Sequence, residues 1–249
     1  MQLLAPLKTS ASIYSGSGNL FLITTTTLST ERVVSLCEHH GLDGVIYFLP
    51  PYTMRIFNSD GSEAQMCGNG LRCLLAFLWE EGDHQECYTI STLAGWHKGH
   101  YKDGWSSIEF PVPSAVHLRR IDHHDFYCLN TGVPHAVYLG FCDDFRHLGA
   151  RYVRHPAFGK EGSNITQCLV QKDKSLYVQT FERGVERITG ACGTGCLAAS
   201  IVACSQYSLS SPIKITVPSL EELYVTLSPF TLKGKATLIT KNVPLNDQP

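Results

Sequence analysis

The sequence predicts a mixed α/β (α+β) protein with two pseudo-symmetric lobes. Each lobe is expected to be a mixed sheet wrapped around a central helix, with the active site in the cleft between the lobes. Three observations predict this fold: an internal repeat, two helical runs that are apolar on nearly every face, and short β-rich runs around them. The 249 residues, 43% hydrophobic and 17% charged, suit one large or two smaller globular domains.

The internal repeat pairs a segment that begins at Met54 with a segment that begins at Tyr177. Both segments read as a strand, a polar loop, the motif Cys-Gly-x-Gly and an apolar helix. The motif cysteines, Cys67 and Cys192, lie 125 residues apart, which is about half the chain. We infer a gene duplication.

The duplication sets the expected domain boundaries. We expect an N-terminal lobe over residues 1–113 and a C-terminal lobe over residues 114–236, with the tail 237–249 returning to the first lobe. Pro111 and Pro113 punctuate the expected linker.

The secondary-structure elements follow from hydrophobic periodicity. The runs 71–80 and 195–204 carry almost no polar stripe, which indicates helices buried on most faces. Short runs rich in β-branched and aromatic residues predict strands. They are Gly44–Leu49, Ala136–Leu139, Leu176–Phe181 and Leu223–Leu227.

Composition and charge narrow the classes of function. The net charge of −2, without a Lys/Arg cluster, argues against binding to nucleic acid or to an anionic membrane. No run approaches the 18 apolar residues of a membrane span, and the N-terminus is a poor signal peptide. We therefore expect a cytoplasmic protein, in which a disulfide framework is a poor fit. Core packing is the default for the cysteines outside the two motif positions, namely Cys37, Cys73, Cys87, Cys128, Cys142, Cys168, Cys196 and Cys204.

Each Cys-Gly-x-Gly motif places a cysteine at the entrance of a helix, where backbone N–H groups are unpaired and the helix dipole is positive. Such a position stabilises a thiolate, so we expect the pKa of both thiols to lie below the free value of about 8.5. The flanking glycines let a ligand approach the backbone, and the same N–H groups can bind a carboxylate.

Two such turns facing one cleft would place a thiol on each side of an amino-acid α-carbon. Inversion requires one base to remove the α-proton and one acid to return a proton from the opposite face, and a thiolate/thiol pair suits both tasks. Aimed backbone N–H groups would stabilise the enolate character that develops on the carboxylate. We therefore predict a cofactor-independent enzyme that inverts an amino-acid α-carbon, with no metal.

The motifs resemble the signatures of the diaminopimelate epimerase family. The segments that carry the resemblance are Asn58–Ser62, Met66–Cys73, Glu182–Gly184 and Ala191–Gly195, with Ser17–Asn19, Gly132–His135 and Leu232–Ala236 as supporting elements. The resemblance covers nearly the whole chain in order. It implies the interconversion of LL- and meso-diaminopimelate, a step toward lysine and peptidoglycan, and the homodimer that is frequent in the family.

The resemblance also assigns roles to individual residues. It implies Cys67 and Cys192 as the acid/base thiols, and Gly68, Asn69, Gly193 and Thr194 as the groups that hold the reacting carboxylate. The ammonium groups and the distal carboxylate of the substrate would be held by Asn19, Asn58, Asn164, Glu182 and Arg183. His135 and Glu182 are candidates for setting the protonation of the thiols.

Two departures from the family pattern keep alternatives open. Val133 stands where the family has a substrate-binding Asn, and Gly44 stands where Gln is common. A site that loses hydrogen-bond partners for the far end of its substrate discriminates less strongly against analogues. One alternative is therefore a broader amino-acid racemase that also accepts glutamate. A separate alternative is a non-catalytic amino-acid-binding relative, and the intact thiols and Gly-rich turns of both motifs argue against it.

Overall fold

The computed structural model describes residues 11–245, and the chain divides into two compact units. The first unit comprises the chain up to Ile108 together with the chain from Gly234 onward, and the second comprises Glu109–Lys233. The predicted lobe boundaries at residues 113 and 236 lie a few residues from these positions. Residues 1–10 and 246–249, the outer ends of the predicted N-terminal lobe and its tail, lie outside the described residues.

The elements follow each other in similar order in the two halves of the chain. The first half forms β1 (Ser12–Gly16), β2 (Asn19–Thr24), α1 (Thr30–His40), β3 (Gly44–Leu49), β4 (Thr53–Asn58), β5 (Glu63–Ala64), α2 (Gly68–Glu80), β6 (Tyr88–Thr92), β7 (Gly95–Lys102) and β8 (Trp105–Glu109). The second half forms β9 (His117–Ile121), β10 (His124–Asn130), β11 (Pro134–Leu139), α3 (Phe145–Tyr152), β12 (Asn164–Val170), β13 (Leu176–Glu182), β14 (Arg187–Ile188), α4 (Gly193–Tyr207), β15 (Ile213–Thr216), β16 (Glu222–Leu227), β17 (Phe230–Lys235) and β18 (Thr237–Thr240). A short 3-10 turn, Pro156–Phe158, precedes β12.

The sheet of the first unit is mixed. Strand β1 pairs antiparallel with β2 and with the returning β18. The β2–β3 and β4–β6 pairs are parallel, whereas β3–β4, β6–β7 and β7–β8 are antiparallel. Helix α2 packs against β1, β2, β3 and β7. The predicted sheet around a central helix is therefore confirmed in this unit.

The second unit repeats this topology strand by strand. Strand β10 pairs antiparallel with β9 and β11, and the β11–β12 and β13–β15 pairs are parallel. The β12–β13, β15–β16 and β16–β17 pairs are antiparallel. Helix α4 packs against β10, β11, β12, β13 and β16. The equivalent connectivity of the two sheets supports the duplication that was inferred from the repeated motif.

The two central helices owe their burial to the apolar runs that predicted them. In α2, Leu71, Leu74 and Phe77 have no exposed surface, and in α4 the same holds for Leu197 and Val202. Burying each such side chain contributes about 1.5–3 kcal/mol. These two helices therefore anchor the core of their own unit and fix the position of their N-termini.

Helices α1 and α3 lie on the outer side of the sheets. Ser29 Oγ accepts a hydrogen bond from Arg32 N at the start of α1, and Gly41 ends that helix in the left-handed conformation at φ 64°. Helix α1 packs against β3, and α3 packs against β12 and β13. Each outer helix thereby closes a second apolar cluster on its own unit.

Four of the eight cysteines outside the motifs are core residues, as predicted, and one is clearly not. Cys73 and Cys196 are fully buried, and Cys37 and Cys168 are nearly so. Cys87 is exposed, so the prediction is wrong there, because Cys87 lies in the loop before β6 and not on a core-facing strand. The remaining three, Cys128, Cys142 and Cys204, are half-buried.

None of the helices formed by residues 11–245 combines the length and the apolar character needed to cross a lipid bilayer.

Candidate active site

Cys67 is the N-cap residue of α2. Its backbone is extended, at φ −138° and ψ 118°, and its Sγ accepts a hydrogen bond from Gly70 N at 3.4 Å. Gly70 packs closely, since a Cβ there would lie 3.0 Å from a methyl group of Ile46. Cys67 is half-buried. The predicted thiol at a helix entrance is therefore present in the first unit.

Asn69, in the first turn of α2, belongs to a buried polar chain. Its Nδ2 donates to Asn19 Oδ1 at 2.9 Å, and its Oδ1 accepts from the Arg72 guanidinium at 2.7 Å. The same guanidinium donates to Ser17 Oγ at 2.6 Å. Arg72 has no exposed surface. These bonds fix which end of the Asn69 amide faces Asn19.

Asn58 lies at the end of β4, on the exposed turn that leads into β5. Its Nδ2 donates to Ser62 Oγ at 3.0 Å, and Asp60 Oδ1 accepts from Ser62 N at 2.9 Å. Gly44, at the start of β3, is the strand partner of Asn58. A Cβ at Gly44 would lie only 2.3 Å from the carbonyl oxygen of Phe57. A larger residue at this position therefore requires the β3–β4 pair to move.

Cys192 is the N-cap residue of α4, with an extended backbone at φ −122° and ψ 108°. Its Sγ lies 3.4 Å from Thr194 Oγ1, and the thiol is half-buried. Gly195 follows in the first turn, where a Cβ would lie 2.4 Å from Thr180 Oγ1 and 3.3 Å from His135 Cε1. The second glycine of the motif therefore makes room for polar side chains against the helix.

His135 is fully enclosed by these polar side chains. Its Nδ1 lies 2.9 Å from Thr166 Oγ1, and its Nε2 lies 2.9 Å from Thr194 Oγ1. Strand register explains the grouping, because His135 is the partner of Asn164 in the parallel β11–β12 pair and Thr166 is the partner of Thr180 in β12–β13. Burial lowers the pKa of His135 to about 3. The imidazole is therefore neutral at physiological pH.

Glu182 ends β13 beside Cys192. Thr189 Oγ1 donates to Glu182 Oε1, and burial raises the pKa of the carboxyl although the hydrogen bonds from Thr189 and Cys192 oppose this shift. Burial and the charge of Glu182 together raise the pKa of Cys192 well above its ordinary value. The prediction of a lowered thiol pKa is therefore wrong for Cys192, because these two effects outweigh the hydrogen bonds from Thr194 and the Gly195 backbone, which lower the pKa.

Arg183 and Asn164 are held together by a backbone hydrogen bond. Arg183 N donates to Asn164 Oδ1 at 2.8 Å, and the Asn164 Nδ2 lies 3.5 Å from His135 Nε2. The Arg183 guanidinium donates to the Glu161 carbonyl at 3.0 Å.

The predicted site residues thus form two half-sites, each within one unit. The half-site of the first unit contains Asn19, Cys67, Gly68 and Asn69, with Asn58 on a turn of its own. The half-site of the second unit contains His135, Asn164, Glu182, Arg183, Cys192, Gly193 and Thr194.

Several supporting residues were not identified as site residues from the sequence. They are Arg72 in the first half-site and Thr166, Thr180 and Thr189 in the second. Arg72 could have been identified, because it is a charged residue inside an otherwise apolar helical run and therefore needs buried polar partners. The three threonines gave no signal in the sequence. Strand register brings Thr166 to the histidine and Thr180 to Thr166.

Within the part of the chain that the structure describes, no three His, Cys, Asp or Glu side chains come together as a potential metal site.

Comparison with known proteins gives consistent similarities. The family model described as Diaminopimelate epimerase matches residues 12–109. A curated relative, the diaminopimelate epimerase of Chlamydia trachomatis, is 32% identical over 248 aligned residues, which cover 91% of this chain and 86% of the relative. The diaminopimelate epimerase of Methanothrix thermoacetophila is 35% identical over 221 aligned residues, covering 76% of this chain and 78% of the relative.

Solved structures with low sequence identity share the fold. The crystal structure of the Bacillus anthracis phenazine biosynthesis protein, PhzF family, matches with a TM-score of 0.70 at 14% identity, covering 94% of this chain and 97% of that chain. At this identity the likeness shows the fold alone, a mixed α+β architecture.

Proposed function

The chain belongs to the diaminopimelate epimerase family, and from this premise we propose that it interconverts LL- and meso-diaminopimelate by transferring the α-proton between Cys67 and Cys192. One observation carries the proposal. Both motif cysteines are N-cap residues with the same extended backbone conformation, each followed at once by a buried helix. The proposal requires the two half-sites to act on one α-carbon.

Stabilisation of the reacting carboxylate is the main task of this chemistry, because the α-proton is only weakly acidic. Helix N-termini present backbone N–H groups that bind a carboxylate and favour the negative charge that develops on it. The groups proposed to do this are the backbones of Gly68 and Asn69 at α2 and of Gly193 and Thr194 at α4. Preorganised donors of this kind are worth about 3–4 kcal/mol each.

Proton transfer at Cys192 depends on its two polar neighbours. Glu182 is a carboxyl group with a raised pKa in contact with the thiol, so its charge and protonation bias the thiol directly. His135 stays neutral because burial lowers its pKa to about 3. We assign Glu182 to proton management and His135 to orientation of the groups around the thiol.

The far end of the substrate needs partners of both charges. Asn19, Asn58 and Asn164 offer amide groups, Glu182 a carboxylate for an ammonium group, and Arg183 a guanidinium. A guanidinium can bind the distal carboxylate through two parallel hydrogen bonds. These assignments are part of the proposal, as is a homodimer, which sedimentation of the full chain would test.

The experiment that tests the proposal is turnover of LL-diaminopimelate by reduced enzyme without added cofactor or metal, followed by chiral chromatography. We expect the meso isomer to appear, and we expect Cys67→Ala and Cys192→Ala to abolish its formation while the substrate still binds. A non-catalytic amino-acid-binding relative would bind but never turn over. If the wild type leaves the substrate unchanged, the proposed function is wrong.

A second candidate function is a broader amino-acid racemase, and the geometry at Gly44 favours it. The missing side chain cannot be restored by a local change, since a Cβ there lies 2.3 Å from the Phe57 carbonyl oxygen. Val133, two residues before His135 in the sequence, is half-buried and offers no side-chain hydrogen bond. Both positions therefore lack polar side chains that could distinguish substrates by the groups at the end far from the reacting α-carbon. Racemisation of L-glutamate in a parallel incubation would support this candidate, and its complete absence would exclude glutamate as a second substrate.

A further inference from the structure

We propose that the Thr194 hydroxyl group is a rotor, whose single proton turns between His135 Nε2 and Cys192 Sγ according to the protonation state of the thiol. This inference rests on the proposed function, in which Cys192 is a thiol in one direction of the reaction and a thiolate in the other. Thr194, His135 and Asn164 are then positioning residues for the acid/base chemistry of Cys192.

The contacts of Thr194 define the two positions of the rotor. Its Oγ1 lies 2.9 Å from His135 Nε2 and 3.4 Å from Cys192 Sγ. A hydroxyl group has one proton, so it donates to only one of these two atoms at a time. The backbone of Thr194 is held in place because Thr131 Oγ1 donates to the Thr194 carbonyl at 3.0 Å. Rotation of the hydroxyl proton therefore needs no movement of the main chain.

The tautomer of His135 is fixed through Asn164. Arg183 N can only donate a hydrogen bond, so the Asn164 atom that faces it at 2.8 Å must be the carbonyl oxygen Oδ1. The other end of the amide, the donor Nδ2, then faces His135 Nε2 at 3.5 Å. An NH2 group facing a ring N–H would be repulsive, so Nε2 carries a lone pair.

The remaining ring nitrogen then carries the proton. His135 is neutral, because burial lowers its pKa to about 3, and a neutral imidazole has one N–H group. Nδ1–H donates to Thr166 Oγ1 at 2.9 Å. Thr166 in turn lies 3.1 Å from Thr180 Oγ1, and these two hydroxyls can turn to suit the ring. Asn164 is thus the one partner of the ring that cannot adapt.

The groups that face Cys192 complete the two states. Glu182 accepts from the thiol, Arg187 acts on Glu182 by its charge, and Cys196 lies on the same helix. When Cys192 is a thiol, its proton is directed at Glu182 and Thr194 donates to Nε2. When Cys192 is a thiolate, Thr194 donates to Sγ and Nε2 keeps its contact with Asn164. Nε2 loses its bond from Thr194 and the thiolate gains one. Because a hydrogen bond to a charged acceptor is stronger than a bond to a neutral one, the exchange lowers the free energy of the thiolate relative to the thiol.

The first test reads the tautomer directly and needs no substrate. Long-range ¹⁵N–¹H NMR spectra of the reduced full chain at neutral pH should show His135 protonated at Nδ1, with the signal assigned by its loss in His135→Gln. Asn164→Asp replaces the donor by an acceptor and should move the proton to Nε2. A wild-type ring protonated at Nε2 would overturn the proposal, whether or not the enzyme turns over diaminopimelate.

The second test reads the thiol. The pH dependence of alkylation of Cys192 by iodoacetamide, followed by mass spectrometry of its peptide, gives its apparent pKa. Thr194→Val should raise that pKa by about one unit, since a hydrogen bond to a charged group is lost. Thr194→Ser keeps the hydroxyl and should leave the pKa unchanged. If Cys192 has the same pKa in Thr194→Val as in the wild type, the Thr194 hydroxyl does not donate to the thiolate, and the proposal is wrong.

Discussion

At the scale of single residues, each half-site contains an asparagine whose amide is oriented by a donor from the chain. Asn69 is oriented by the buried Arg72 guanidinium, and Asn164 by the backbone N–H of Arg183. In both cases the carbonyl end of the amide is occupied, which leaves the NH2 end facing Asn19 or His135. In the first half-site the amide orientation is therefore set by Arg72, which lies one layer behind the residues proposed to touch the substrate.

Arg72→Lys tests this supporting layer in the first half-site. Nη2 of Arg72 donates to both Ser17 Oγ and Asn69 Oδ1, and Nη1 donates to the Lys235 carbonyl at 3.4 Å. Lysine has one nitrogen in place of this planar pair, so we expect a loss of about 1–3 kcal/mol in the free energy of unfolding, with a lower kcat/KM for LL-diaminopimelate. Arg55→Lys is the matched control, because its exposed ion pair with Glu63 is worth less than about 1 kcal/mol. Urea unfolding and initial rates measure both variants, and equal effects would contradict the account.

His135 makes stability depend on pH. Its pKa is about 3 in the folded chain and about 6.5 when unfolded, so between these values the unfolded chain binds more protons. The free energy of unfolding therefore increases with pH between about 3 and about 6.5. It decreases when the pH falls below about 6.5, because the unfolded chain is then protonated at this histidine and the folded chain is not. Between pH 7 and pH 5 the contribution of His135 falls by about 2 kcal/mol.

The His135→Gln variant isolates this contribution. We expect its unfolding free energy, measured by urea denaturation at pH 7 and pH 5, to fall by about 2 kcal/mol less than that of the wild type. His123→Gln, on an exposed turn, should behave as the wild type. If the unfolding free energy of His135→Gln falls between pH 7 and pH 5 as much as that of the wild type, the buried ring does not cause the pH dependence.

At the scale of elements, the first turn of each central helix joins packing to chemistry. Gly68 and Gly193 start α2 and α4, and a Cβ on either would press on an apolar side chain, Ile108 at 3.2 Å or Leu232 at 2.9 Å. Gly195 lies against the polar group that contains Thr180 and His135. The glycines of the motif therefore allow close packing of the helix N-terminus, in addition to their proposed role in access of a ligand.

Gly195→Ala tests the packing at α4. Because the added methyl group would lie 2.4 Å from Thr180 Oγ1, we expect a loss of about 1–3 kcal/mol of stability together with most of the activity. Thr180→Ala removes that oxygen, so the double variant should be less destabilised than the sum of the single variants. Strict additivity in a double-mutant cycle, measured by urea unfolding, would contradict this contact.

At the scale of the whole molecule, the sequence predicted the duplicated architecture because the signals were strong and repeated. The Cys-Gly-x-Gly motif at Cys67 and Cys192, the apolar runs behind it and the strand Gly44–Leu49 all appear as predicted. Family membership and the class of enzyme are confirmed by the relatives. The residues proposed as ligands of the substrate stay predictions.

The parts that the sequence did not predict depend on long-range register. Thr166 reaches His135, and Thr180 reaches Thr166, only because β11, β12 and β13 pair in one register, which no local pattern encodes. The raised pKa of Cys192 arises in the same way, since burial and the neighbouring Glu182 are products of tertiary packing. Local helix-entrance chemistry predicted the opposite direction.

Proton transfer by two thiols on opposite faces of the α-carbon is tested most directly by the position of deuterium at early times in D2O. Reduced enzyme and LL-diaminopimelate are incubated in D2O, and substrate and product are separated and examined by NMR before one tenth of the substrate has reacted. If two thiols act on opposite faces, the meso product carries solvent deuterium at the inverted α-carbon while the recovered LL substrate stays protonated. Deuterium appearing in the recovered substrate as fast as in the product would show a single base acting on both faces, and would contradict the account.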